Sequence, residues 1–252
     1  MPYFLGEMTA PEVKALYPKL DYVVLPVGSN EQHAFHLPML SDTIQAEGIA
    51  RELAAAGEKK GLKLGVLPAL PFGYSEEFWN YPGTVSLKAE TYLHLIMDVG
   101  ACLKHHGARR MLIINGHFSN MPILDLAVDR IQRDMGLPCH LVMWTNFMKK
   151  EDADERKGEG GHSGYVETCM DMYFRGEWVK MEKLKAPHVT WNRDSTVGWW
   201  GGTYFEELTD TGALGGASRA SAKAGGKIAK KVVERMIVAL KRDAVVTRSR
   251  RQ

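Results

Sequence analysis

Three short clusters in this chain carry side chains that can do chemistry. In the first, Glu31-Gln32-His33, a carboxylate and an imidazole stand two residues apart. In extended backbone, residues i and i+2 point the same way, so Glu31 and His33 face one cavity while Gln32 points elsewhere. Asp42 follows nine residues after His33, at a predicted helix start. Carboxylates and imidazoles suit Zn2+ or Mn2+, and a catalytic ion needs three protein ligands plus an open position. A carboxylate such as Asp42 can also bridge two ions held about 3.5–4 Å apart. The plainer reading is a polar loop in which Asp42 caps the following helix. The second cluster is Asn115-Gly116-His117, after an apolar run, where a lone histidine is more often a hydrogen-bonded structural residue than a ligand. The third runs from Gly158-Glu159 through His162 to Glu167-Thr168. Its glycines let backbone approach a ligand closely. Glu167 opens a helical segment, where it either faces a site or simply favours the positive helix end.

Alternating elements must position these clusters. Tyr22–Val27 is a continuous apolar run ending in Gly28-Ser29 and predicts a buried strand. Leu64–Pro68, Met111–Ile114 and Pro138–Trp144 predict three more strands. Helical periodicity covers Ser41–Ala56, Lys88–His106, Pro122–Met135 and Ala217–Lys241. Such alternation is the pattern of a parallel sheet covered on both faces. Sheets of this kind bind ligands beyond the carboxyl ends of their strands, which is where the clusters fall, with Ser75-Glu76-Glu77 after the second strand. Residues 186–216, rich in Gly, Trp and Thr, predict a long functional loop. Residues 246–252 predict a disordered basic tail.

Composition narrows the remaining classes. The 252 residues suffice for one large domain or two small ones, and the net charge of +2 gives no electrostatic warrant for nucleic acid. No apolar stretch approaches the ~20 residues that span a bilayer, and the first residues do not read as a signal peptide. Cys102, Cys139 and Cys169 show no CxxC spacing and are expected to be buried free thiols in a reducing cytoplasm. Gly161-His162-Ser163-Gly164 is not a nucleophile elbow, and no phosphate-binding glycine motif is present.

The clusters together resemble the creatininase (creatinine amidohydrolase) family. Leu25 through His33, then His36-Leu37-Pro38 and Asp42, looks like its opening motif. Asn115-Gly116-His117 with Asn120, and His162 through Thr168, look like its second and third, and Gly215–Gly225 resembles its ending. The resemblance implies a single α/β domain over 1–252, a largely parallel sheet flanked by helices on both faces, and usually a homohexamer. It implies two divalent ions, Zn2+ and/or Mn2+ with Fe2+ also admitted, and hydrolysis of a non-peptide C–N bond in a small cyclic or formamide-like amide. Carried over by motif, Glu31, Asp42 and His117 would hold one ion, and His33, Asp42 and Glu167 the other, with Asp42 bridging; Glu31 and His162 would be the catalytic residues, and a hydroxide shared by the ions would attack the amide. Ser75, Phe118, Glu159 and His162 fall where creatininase contacts substrate, and His162 would pass a proton to the leaving nitrogen. Trp199 and Trp200, or Phe78 and Trp79, would close the pocket, unless they serve ordinary packing or an oligomer contact.

Three departures matter. Ala34-Phe35 replaces a Gly-Pro pair, Ser119 replaces a ligand glutamate of creatininase, and Gly158-Glu159 replaces its Trp-Asp pair. The chemistry is therefore expected to carry over and creatinine is not expected to be the substrate. The competing readings are a ligand- or metal-binding homologue without activity, and a peptidase or lactonase on the same fold.

Overall fold

Five parallel strands lie in the order β1-β3-β2-β4-β5: β1 (Tyr3–Phe4), β2 (Tyr22–Val27), β3 (Leu64–Val66), β4 (Met111–Asn115) and β5 (Cys139–Met143). This computed structural model describes residues 3–149, 151–152, 161–189 and 204–249, with side chains described as far as 243. Glu159, Trp199 and Trp200 lie outside the described residues, as does the centre of the expected Gly/Trp-rich loop. The register runs evenly, with Val23 to Val27 of β2 opposite Met111 to Asn115 of β4, so the two strands end level with each other.

Alternation along the strands divides the core in two. Tyr22, Val24, Leu112 and Ile114 pack under α2 (Ser41–Glu58), α5 (Tyr165–Arg175) and α6 (Ala222–Ser249). Val23, Leu25, Val27, Met111 and Ile113 pack on the other face, under α1 (Ala10–Leu16), α3 (Ala89–His105) and α4 (Met121–Met135). All six residues of β2 and all five of β4 are buried, as central strands covered on both faces must be. This is the parallel sheet covered on both faces that the alternation predicts, in the single α/β domain that the family resemblance implies. No described helix is long and apolar enough to cross a membrane.

Several boundaries differ from the sequence expectation. The two-residue strand β1 and the helix α1 escaped periodicity. A capping box between Thr9 and Glu12, with Pro11 in the first turn, starts α1 where no apolar pattern announces it. The third cluster's helix opens at Tyr165, two residues ahead of Glu167. The last helix begins at Ala222 rather than Ala217, because the Ser221 hydroxyl accepts the Ala224 N–H at 3.2 Å and caps it there. It runs to Ser249, so the backbone of 246–249, expected to be disordered, is helical. Cys102 is exposed, and only Cys139 and Cys169 are buried; all three are free thiols.

Two glycines bring the first turn of α2 against the sheet. A Cβ on Gly28 would collide with the Thr43 backbone, and one on Gly116 with the Asp42 carbonyl oxygen, so the ends of β2 and β4 admit no larger residue. Gly176, by contrast, has ordinary helical φ and open space around it. Gly116→Ala should therefore destabilise the protein by at least about 1–3 kcal/mol, the usual cost of overpacking. Gly176→Ala should leave stability unchanged or raise it by about 0.4–1 kcal/mol. Urea unfolding of the two variants beside the parent checks both signs.

Candidate metal centre

The site is built where β2, β4 and two helix starts converge. Glu31 and His33 follow β2, His117 follows β4, Asp42 lies in the first turn of α2, and Glu167 lies in the first turn of α5. Glu31, His33, Asp42 and His117 are at most 5% exposed. The Asp42 carboxylate divides between two partners: Oδ1 lies 3.3 Å from His33 Nε2, and Oδ2 lies 3.0 Å from His117 Nδ1. Glu31 Oε1 stands 3.2 Å from the same His117 nitrogen, and Glu167 Oε2 stands 3.9 Å from His33 Nε2. The Ser29 hydroxyl donates to Asp42 Oδ2 at 2.8 Å and fixes that carboxylate from behind.

The outer nitrogen of each histidine is occupied, which sets the tautomer. His117 Nε2–H donates to the Tyr74 carbonyl at 2.9 Å, leaving Nδ1 as the inward lone pair. His33 Nδ1–H faces the Glu31 carbonyl at 3.2 Å, leaving Nε2 inward. His162 Nε2–H donates to the Gln32 carbonyl at 2.9 Å, and its Nδ1 lies 4.0 Å from Glu31 Oε1. Both Glu31 oxygens and His33 Nε2 are buried and lack hydrogen-bond partners. Buried polar atoms are normally satisfied, so a set of such acceptors aimed at one point fits a cation. Among the described residues, two groups have the spacing for one: Glu31, Asp42 and His117, and Glu31, His33 and His162; the set expected for a second ion, His33, Asp42 and Glu167, is more open, with Glu167 reaching only His33. The oxygen and nitrogen donors, with no thiolate, suit Zn2+, Mn2+ or Fe2+.

Electrostatics follow from crowding charges in a dry site. Burial opposes protonation of His33, but Asp42, Glu167 and Glu31 outweigh it and push its pKa up to about 10. His117 is likewise raised well above the ordinary value, against the pull of burial, by Glu31 and Asp42. Burial alone would raise Asp42, yet the two imidazoles hold it well below the carboxylate range. Burial pushes Glu167 up to about 8, and burial with the neighbouring His33 drives His162 well below the usual histidine value.

Two backbone positions beside the site are forced. Ala34, after His33, and Ser163, after His162, have φ of 54° and 55°, a region disfavoured for non-glycine residues. Side chains hold both in place: Gln32 Oε1 accepts the Ala34 N–H at 2.9 Å, and Glu167 Oε2 accepts the Ser163 N–H at 2.7 Å.

The cluster opens into a cavity of about 600 Å³ walled by Phe78, Phe118, Met143, Met148 and Phe205. Phe118 is 77% exposed on this wall. Ser75, expected at the substrate, is fully buried, with its hydroxyl 3.3 Å from His117 Nε2, so it touches the histidine rather than the cavity. Phe78 stacks on His162 with ring centroids 4.8 Å apart, and Phe205 meets it edge-on at 4.9 Å; Trp79 is exposed. Gln32 does turn away from Glu31, but it is not idle: its amide contacts His162 and the Gly212 carbonyl. Sequence reasoning missed Phe205, and Glu77 as a cavity residue. Glu77 accepts the Ser119 hydroxyl, lies 3.6 Å from His117 Nε2, and burial raises its pKa. No periodic signal marks either residue, and the position of Glu77 just after Ser75 was the one available hint.

Comparison with known proteins bears on the family and the fold. A curated relative, the mycofactocin precursor peptide peptidase of Mycobacterium tuberculosis (strain CDC 1551 / Oshkosh), is 29% identical over 194 residues, covering 72% of this chain and 68% of its own. The creatinine amidohydrolase of Pseudomonas putida is 33% identical over 138 residues, 52% of this chain and 51% of that protein. A solved creatininase described as the Mn form superposes with a TM-score of 0.82 at 25% identity, over 96% of this chain and 99% of that one. These relatives are hydrolases, amide-cleaving ones among them. Residues 6–240 match the family profile described as creatininase, creatinine amidohydrolase, and the chain belongs to that family.

Proposed function

We propose that this protein is a dinuclear metal-dependent amidohydrolase acting on a small amide other than creatinine. The observation that carries the reading is the Asp42 carboxylate, whose oxygens face different imidazoles beside the unsatisfied Glu31 oxygens and His33 Nε2. Glu31, Asp42 and His117 would hold one ion, and His33, Asp42 and Glu167 the other. Bound there, divalent ions supply Lewis acidity toward a carbonyl and a water acidified toward neutrality. The chain's own groups handle the proton. His162 is fixed by Gln32 with Nδ1 inward, so Nδ1 is the atom placed to take a proton from water, and its lowered pKa makes it a strong donor once it holds one. Hydrolysis places OH on the carbonyl carbon and H on the departing nitrogen, and His162 returns its proton to that nitrogen. Phe78 and Phe205 keep bulk water from the imidazole. Glu159, Trp199 and Trp200 remain expected contacts on the substrate side.

A peptide amide is the second reading, favoured by the similarity to a precursor-peptide peptidase. A panel of cyclic amides, hydantoins, lactams, formamides and short peptides, tested on metal-loaded protein, separates the two. Creatinine should be turned over poorly or not at all. Chelation should abolish hydrolysis, with Zn2+ or Mn2+ restoring it, and full activity in metal-free protein would refute the proposal.

Asp42 and His162 divide the mechanism into testable halves. Asp42→Asn should lose metal together with rate, because a neutral amide cannot hold two cations. His162→Ala should keep two ions per chain and lose about 10²–10⁴-fold in rate, the usual worth of acid–base help. Metal content and rate on the same preparations decide; lost metal in His162→Ala would make this histidine a ligand, as its place beside Glu31 and His33 also allows.

Metal uptake should also release protons. With His33 raised to about 10 and His117 raised too, both imidazoles are protonated at pH 7 in the ion-free protein, and a cation must displace those protons. Affinity should thus fall as pH falls. The raised His33 pKa works in the opposite direction on the ion-free fold: its contribution is complete below about 6.5 and is lost as pH rises through about 10. Calorimetry of Zn2+ binding in buffers of different ionisation enthalpy counts the protons, and a buffer-independent heat would contradict the assignment.

A further inference from the structure

We propose that Asp171 is a positioning residue that fixes the separation of Asp42 from Glu167, and through it the affinity of the ion held by His33, Asp42 and Glu167. This rests on the two-ion reading above. Asp171 stands four residues after Glu167 on α5, one turn further along the same face, and is fully buried. Its Oδ2 accepts the Ser41 hydroxyl, and its Oδ1 accepts the Gln45 amide at 3.0 Å. Ser41 is the first residue of α2, immediately before Asp42, and Gln45 lies one turn later; neither is more than 1% exposed. One carboxylate therefore grips the first turn of α2 with both oxygens while riding on the helix that carries Glu167.

The choice of residue is informative. No lysine or arginine reaches Asp171 among the described residues, and burial pushes its pKa up to about 6. An apolar side chain of similar size would pack there at lower cost if packing were the only demand. What an apolar residue lacks is direction. Two charge-assisted hydrogen bonds to donors spaced four apart on α2 fix the rotation of α5 about its axis as well as its distance. A second tie runs in parallel: Thr168, beside Glu167, accepts His36 Nε2–H at 2.9 Å and donates to the Gly164 carbonyl at 2.9 Å. Glu31, Asp42 and His117 are held from other directions, by the ends of β2 and β4 and by Ser29 and Tyr74. Asp42 is shared by the two ions, but Glu167 is not, so the influence of Asp171 falls chiefly on the ion that Glu167 holds.

Mn2+ titration of the metal-free protein, with free Mn2+ read by electron paramagnetic resonance, tests this without recourse to activity. The parent should bind two ions per chain. Asp171→Asn keeps the volume but offers one acceptor oxygen in place of two. It should weaken one ion about 10–100-fold, the usual worth of an outer partner, and move the other by less than about threefold. Placed in a Glu167→Gln background, where that ion's ligand set is already broken, Asp171→Asn should weaken the remaining ion no further. Ser41→Ala, which removes one donor and leaves the carboxylate, should show the same selective loss should Asp171→Asn not fold. Parent-like affinities for both ions, or equal weakening of both, would overturn the positioning role. A parent that takes up no second ion would overturn the two-ion reading and this inference with it.

Discussion

Three carboxylates and two imidazoles are held within a few ångströms of one another beyond the ends of β2 and β4, and the rest of the molecule serves to keep them there. Charges placed in a dry interior are costly unless paired. Here the carboxylates outnumber the two histidines, and both Glu31 oxygens are left without hydrogen bonds. Without a cation the only relief is protons: against the pull of burial the surrounding carboxylates push His33 up to about 10, and burial raises Glu167 to about 8. Divalent cations relieve the same crowding more completely, because each supplies two charges where a proton supplies one. The fold contributes rigidity. Level strand ends set Glu31 and His117, the start of α2, pressed in over Gly28 and Gly116, brings Asp42 to them, and the start of α5 brings Glu167.

His33 and His162 show how neighbours of the same residue type are given opposite characters. Their rings are 4.4 Å apart, yet one pKa is raised and the other lowered. Asp42 and Glu167 lie against His33, whereas His162 is flanked by Phe78 and Phe205 and by the charge on His33 itself. Groups whose environments push their pKa values apart are suited to different roles, here the proposed ion holding by His33 and proton transfer by His162. Gln32 completes that division by using its own carbonyl to choose the His162 tautomer.

Much of this was legible in the sequence because it is written in local pattern. The central strands and their helices appear as apolar runs and helical periodicity, with Glu31, His33 and His117 a few residues beyond the strand runs and Asp42 at a helix start. The i, i+2 argument placed Glu31 and His33 on one side correctly, but gave no role to Gln32, whose partners at Gly212 and His162 are distant in sequence. Ser75 illustrates a different limit: its position after the second strand was readable, while its burial behind His117 depends on how the turn at 76–78 folds back. Helix α1 was missed because its start is encoded by a capping box rather than by apolar spacing. Asp171 was invisible for a related reason. A lone acid in a helix reads as solvent-facing until the opposing Ser41 and Gln45 are known.

The two halves of the site are built from different materials, and this bears on substrate choice. The proposed ion ligands come from strand ends and helix first turns, where a shift of one residue would turn a side chain to the wrong face. Apart from Met143 at the end of β5, the apolar cavity wall comes chiefly from irregular segments: the turn carrying Glu77 and Phe78, Phe118 and Ser119 after His117, Met148, and Phe205. Such segments accept substitution without disturbing the sheet. The position that holds a ligand glutamate in creatininase is here Ser119, and the serine's hydroxyl is spent on Glu77, a carboxylate delivered from a separate turn. A negative group is thus retained beside His117, but it approaches from another wall and leaves a differently shaped space next to it. Divergence of this kind would alter which substrate fits while leaving the proposed ion ligands in place, which is why those ligands and the cavity wall must be argued separately in this chain.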